Sequence, residues 1–171
     1  ITVEFGGTLN CNEAVYVEVT NNGKITGGQF FEVVNNRSRG IISGGSFCGE
    51  GSIWDGMIGV ENEGTLENGN FECIVKNHSG GKITGGQYNK NIHNEGRISG
   101  GKFYGQVKNQ MSGQITGGEF WAEVTNLIME GGSGLTPGFQ QTCKITNGTF
   151  NAQVINHTTI SGGNFNALVT N

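Results

Sequence analysis

Ile25-Thr26-Gly27-Gly28-Gln29-Phe30, which closes six residues later on Asn36, is the stretch that decides how this chain folds. Its pattern is a branched apolar residue, one residue, two glycines, one residue and an aromatic. That pattern returns from Ile42 to Phe47, Leu66 to Phe71, Ile83 to Tyr88, Ile98 to Phe103, Ile115 to Phe120, Ile145 to Phe150 and Ile160 to Phe165. A degenerate first copy is read at Leu9. Four residues after the aromatic stands a β-branched residue, and two further on an Asn, as in Val34 and Asn36, Val75 and Asn77, Ile92 and Asn94, Val107 and Asn109. With insertions allowed in the first and third copies, which end at Asn21 and Asn62, all nine copies finish on Asn. Self-similarity at a short fixed period marks a stacked repeat architecture.

Alternation along a strand turns the columns into faces, because successive side chains point to opposite sides. From aromatic to Asn, the inward set is the aromatic, a small residue (Cys73, Gly105, Ala122, Ala152, Ala167), the β-branched residue and the Asn. Glu32 and Lys90 break the small column. A second, shorter strand carries the Ile. The expected fold is therefore all-β: residues 1–171 form one parallel β-solenoid of about nine imperfect 15–17-residue repeats.

The glycine pair bends the chain between these strands. Its second member is Gly in all eight clear copies, whereas Asn68 and Asn147 replace the first. Asn tolerates positive φ better than other non-glycine residues, so the substitution predicts a left-handed backbone at that first position. A β-hairpin array is the alternative, since Asn-Gly and Gly-Gly favour two-residue turns. Hairpins leave the ninefold Asn unexplained. In a solenoid, equivalent residues lie roughly 4.8 Å apart, and their amides join in a continuous ladder.

From each closing Asn to the next Ile the interval runs 4, 6, 4, 6, 4, 6, 19 and 4 residues. The alternation predicts a two-motif unit, built either as alternating coils or as two sides of one wide coil. Insertions are expected near 10–18, 48–59 and 127–143, all in odd-numbered copies. Such insertions commonly carry binding elements.

Composition excludes several classes. Gly supplies 32 of 171 residues and Pro only 1, which is neither collagen nor a Pro-rich linker. A net charge of −4 offers no basic footprint for nucleic acid or anionic lipid. No apolar run approaches the roughly 18 residues of a membrane helix, so membrane insertion is not expected. Ile1-Thr2-Val3-Glu4 lacks a signal pattern, and the chain stops on the Asn of a complete motif. Open coils expose unpaired backbone, so further repeats, or self-association into a filament through uncapped ends, are expected.

Copies such as Gly-Lys-Ile-Thr-Gly-Gly-Gln-Phe followed by Val-x-Asn resemble the Gly/Asn/Thr-rich β-solenoid repeats of bacterial cell-surface and adhesin-type proteins. What the resemblance implies is an extracellular or cell-surface location, a structural or adhesive function, and a host or cell-surface ligand.

The chemistry-bearing residues are sparse. Asp55 is the one Asp among 14 acidic residues, and no carboxylate pair recurs in adjacent copies as a polysaccharide lyase or hydrolase of β-helix type would require. Glu61, Glu63 and Glu67 with Asp55 form one acidic patch, read as a solvated edge. His78, His93 and His157 flank turns without metal-ligand spacing to the cysteines. No Cys-x-x-Cys occurs; Cys73 reads as core, while Cys11, Cys48 and Cys143 lie at insertions, where a disulfide pins a loop in an oxidising compartment. No catalytic residue, metal ligand or cofactor motif is assigned, and the chain is read as non-enzymatic, with a polysaccharide lyase or hydrolase of β-helix type as the alternative reading and an ice-binding solenoid as the third. The sequons at Asn36, Asn77, Asn147 and Asn156 arise from the repeat itself.

Two outward rows remain. Thr26, Ser43, Thr84, Ser99, Thr116, Thr146 and Ser161 form a hydroxyl row suited to ice binding, but the neighbouring Lys24, Lys82, Arg97 and Lys144 disrupt a flat, weakly hydrated face. Phe31, Trp54, Tyr104 and Trp121 are outward aromatics, with Tyr104 and Trp121 equivalent in consecutive copies. Aromatic rings on a polar sheet suit the apolar C–H faces of sugars, and these four are the candidate glycan-binding residues.

Overall fold

The computed structural model describes residues 1–48, 57–127 and 143–171. Each copy of the motif is one coil, and the coils span 8–21, 24–36, 41–62, 65–77, 82–94, 97–109, 114–126, 144–156 and 159–171. Each coil pairs with the next in parallel, aromatic on aromatic, Ile on Ile and Asn on Asn: Phe71 faces Tyr88, Ile83 faces Ile98, and Asn77 faces Asn94. Every strand pairing is parallel, so the hairpin array is overturned and the solenoid stands. No helix occurs among the described residues.

Three short strands make a typical coil, not the expected two. In the fifth coil they are Lys82–Ile83, Gln87–Tyr88 and Ile92–Asn94. The stretch from aromatic to Asn breaks because the two residues after the aromatic turn a corner. The small column at that corner is consequently only partly inward: Cys73 is buried, Gly105 and Ala122 are half-buried, and Lys90 is exposed. At Gly105 the glycine itself has a local cause, since a Cβ there would run into the carbonyl group of Lys90 one coil away.

The glycine turn also differs from expectation. Positive φ belongs to the second glycine, from 97° at Gly86 to 139° at Gly69, and neither Asn68 nor Asn147 adopts it. The first glycine is needed for space: a Cβ on Gly85 would strike the carbonyl oxygen of Glu67 in the coil before. Where Asn stands there instead, its Oδ1 accepts the N–H of the next glycine at 2.9 Å.

Single motifs form single coils, so the alternation of 4 and 6 residues is an alternation of corner lengths. Asn94 closes a short corner and Asn77 a long one. In both, the Asn Nδ2 donates to a glycine carbonyl, Gly96 two residues on or Gly81 four residues on, each at 3.2 Å. That glycine precedes the basic or polar residue before each Ile, and the corner thereby returns to one place whatever its length. The expected insertion near 10–18 is far smaller than read: Leu9 pairs with Ile25 and Val15 with Phe30, a difference of one residue absorbed as a bulge. Val15 takes the aromatic's place in this first coil. Most of the segments 48–59 and 127–143 lies outside the described residues.

The core is a set of continuous stacks. Aromatic rings from Phe30 to Phe165 follow one another at centroid spacings of 4.6–5.0 Å, with interplanar angles of 2–10°. Each offset pair adds about 0.5–1.5 kcal/mol beyond the area it buries. The Ile and Val columns stack beside them, fully buried through most of the length.

Candidate functional site

With ring, aliphatic and amide columns all turned inward, surface chemistry rests on the corners and the outward strand positions. The corner residue directly after the aromatic forms a column of its own: Tyr16, Phe31, Cys48, Glu72, Asn89, Tyr104, Trp121, Asn151 and Asn166. Two aromatic pairs stand in it. Tyr104 and Trp121, 45% and 50% exposed, stack at 6.5 Å between centroids and 16° between planes. Phe31 stacks on Tyr16 at 4.9 Å and 15°. Sequence reading missed Tyr16, because the bulge displaced the first coil's alignment; Val15 at the aromatic position was the available signal.

The predicted aromatics are thus divided between two places. Phe31 lies at the second coil, Tyr104 and Trp121 at the sixth and seventh, and Trp54 lies outside the described residues. Between the pairs Glu72 accepts a hydrogen bond from Asn70 at 3.0 Å and from Asn89 at 2.5 Å, so this stretch of the column is a polar clamp.

Around Tyr104 and Trp121 the surface is amphipathic. Lys102 and Glu119 occupy the outward position of the same strands and are register partners. Gln87 precedes them in that row. A shallow open groove of about 550 Å³ runs along the glycine turn beside this row, lined by Asn68, Gln87, Lys102, Glu119 and three turn glycines. Parallel coils hold all these groups on one rigid face. Flat apolar rings flanked by amides, one cation and one carboxylate can take up a ligand that is itself apolar on one side and hydroxylated at its rim.

The remaining candidates are occupied within the chain. Glu61 pairs with His78, and Glu63 with Arg37 at 3.1 Å, so these two members of the acidic patch face bases; Asp55 lies outside the described residues. His93 sits in register between Lys76 and Lys108. Burial and then these two ammonium groups push its pKa down, against a smaller upward pull from Glu95. No group of three or more potential metal ligands gathers among the described residues. Hydroxyls of the Thr/Ser row reach the carbonyl of the previous coil's apolar residue: Thr84 to Leu66, Ser99 to Ile83 and Thr116 to Ile98, at 3.3–3.4 Å. All four cysteines are free thiols; Cys143, buried, contacts the carbonyls of Met111 and Leu127 at 3.2 Å.

Compared with models of known protein families, with curated protein sequences and with solved structures, the chain matches none of them.

Proposed function

We propose that this chain is a non-enzymatic, extracellular structural and adhesive module that binds glycan through the Tyr104–Trp121 pair. The observation that carries the reading is the exposure of two large aromatic rings, side by side, on a face otherwise built from amides, Lys102 and Glu119. Leaving such rings in water costs the hydrophobic stabilisation their burial would contribute, about 2 kcal/mol each. A ligand with apolar C–H faces recovers that term, and its hydroxyls meet the amides and charges at the edge. The shaft beneath supplies rigidity, since each coil is held by hydrogen bonds to both neighbours and the face does not have to be ordered on binding.

A glycan array probed with the chain tests this. Wild type binds a defined subset of glycans, and the Tyr104→Ala, Trp121→Ala double variant loses at least tenfold in affinity while keeping its melting temperature. Unchanged binding by the double variant ends the reading, as does cleavage of any member of a polysaccharide panel, which would make the chain an enzyme.

A further inference from the structure

The register of the Val-x-Asn ladder breaks at one point, and two buried thiols meet there. Between the third and fourth coils Ile58 pairs with Ile74 and Val60 with Val75, which leaves Gly59 as an extra, buried residue. A Cβ on Gly59 would collide with the sulfurs of both Cys48 and Cys73. The two sulfurs therefore share one glycine wall. Cys48 follows Phe47, whose register partner is Phe71, and Cys73 lies one step beyond that register. The Cys48 backbone is left-handed, φ 57°, a conformation that among the described non-glycine residues only Met111 shares. The neighbouring Cys73 thiol lowers the Cys48 pKa against the opposing pull of burial and Glu32, while the neighbouring Cys48 and then burial raise that of Cys73.

Volume alone does not explain this arrangement. Equivalent corners elsewhere are filled by Gly105, Ala122 or Ala152, on ordinary backbone and without a bulge. Here a strained cysteine, a bulge and a glycine all converge where the two sulfurs flank Gly59.

We propose that Cys48 and Cys73 are a modification site, a dithiol that closes to a disulfide and ties the third coil to the fourth at the root of the 48–59 segment. Residues on adjacent parallel strands, one step out of register, have Cα atoms about 6 Å apart, within the span of a disulfide. With a small-molecule disulfide as oxidant, the Cys48 thiolate attacks one of its sulfurs and displaces a thiolate, forming a mixed disulfide. Cys73 gives up its proton, attacks the Cys48 sulfur and displaces the second thiolate. Two protein thiols lose two electrons and two protons, and the oxidant carries them away as two small thiols. Because both sulfurs are buried, closure takes place while the chain folds around them. This inference does not depend on the glycan reading.

The test is to refold the reduced, denatured chain in a buffer of reduced and oxidised glutathione, alkylate it, and map the peptides by mass spectrometry. Four cysteines allow three complete pairings. The expected result is a Cys48–Cys73 linked peptide with Cys11 and Cys143 alkylated, and a melting temperature that falls by roughly 5–10 °C on reduction. Cys48→Ser and Cys73→Ala abolish that dependence on reductant. Four alkylated thiols, a persistent glutathione adduct on either cysteine, or a different dominant pair would overturn the proposal, and the wild-type peptide map decides even where a variant fails to fold.

Discussion

Nδ2 of Asn77 donates to Oδ1 of Asn94 at 2.7 Å, and both residues are fully buried. The same bond joins each closing Asn to the next, from Asn21 to Asn171, always with the earlier coil as donor. An amide buried without partners costs about 1–3 kcal/mol, so a column of them is tolerable only when every member is satisfied. It is: no buried side-chain polar atom lacks a partner among the described residues. Aligned amides polarise one another, which makes the ladder a cooperative element as well as a satisfied one.

Removing one amide from the middle therefore harms two neighbours. Asn94→Ala leaves Oδ1 of Asn109 without its 2.7 Å donor and strips Asn77 of its acceptor. The expected loss is about 2–4 kcal/mol, seen as a melting temperature lower by roughly 5–15 °C. Gln114→Ala, at an exposed outward strand position, is the control and changes stability by about 0.5 kcal/mol or less. Equal effects of the two substitutions would show that the ladder contributes nothing special.

Adjacent glycines separate crowding from strain. Gly80 has φ 92° and open space where a Cβ would go, whereas a Cβ on Gly81 would lie 2.5 Å from both the Asn62 carbonyl and Oδ1 of Asn77. Gly80→Ala is expected to cost about 1–2 kcal/mol through its left-handed backbone alone. Gly81→Ala forces the ladder itself apart, and its urea midpoint should fall at least twice as far. The reverse order would mean that the corner relaxes more readily than the coil spacing implies.

The repeat was legible because each column is set by a strong local demand that a linear sequence displays. Phe, Ile, Val and Asn recur where stacking and amide pairing select them, and register follows from matching like with like. What escaped is what depends on contact between coils. The left-handed position at Gly86 and the space needed at Gly85 look alike in sequence, and only the Glu67 carbonyl tells them apart. The glycine before Lys82, which receives the Asn77 amide, was invisible for the same reason. In the candidate site, Tyr104 and Trp121 were readable as equivalent corner residues. The Tyr16 partner of Phe31 was not, since one extra residue in the first coil shifted its frame. Nor was the meeting of Cys48 with Cys73, which rests on a bulge.

His93 gives the fold an acid-sensitive point on its Lys76–His93–Lys108 row. Its pKa is lowered by burial, then by Lys108 and Lys76, with Glu95 opposing. A folded state that holds a histidine neutral binds fewer protons than the unfolded chain, so the stability this group contributes is present above the ordinary imidazole value of about 6.5 and is lost as pH falls below it. His93→Asn is expected to flatten that part of the stability profile. In a nuclear magnetic resonance titration, Lys108→Gln should raise the midpoint of the His93 ring signals. A midpoint unmoved by Lys108→Gln would remove the ammonium groups from the explanation.

Tyr88 carries the complementary prediction on the alkaline side. It is the one tyrosine in the aromatic core column, fully buried between Phe71 and Phe103, and its hydroxyl donates to the Gly85 carbonyl at 2.9 Å. Burial holds its pKa well above the ordinary phenol value. The unfolded phenol ionises near pH 10, while the folded one keeps its proton, so the unfolded chain binds fewer protons in this range and stability falls as pH rises. The contribution is fully present below about pH 10. Tyr88→Phe makes the column all-phenylalanine at this point and costs at most about 1 kcal/mol at neutral pH, the value of one net hydrogen bond. Above pH 10 the two proteins should diverge: wild type loses up to about 1.4 kcal/mol per pH unit more than the variant. Urea midpoints measured at pH 8.5, 10.5 and 11.5 read this out directly. Other titrating groups are common to both chains and cancel in the difference, so parallel profiles for wild type and variant would mean that the Tyr88 phenol reaches water without unfolding.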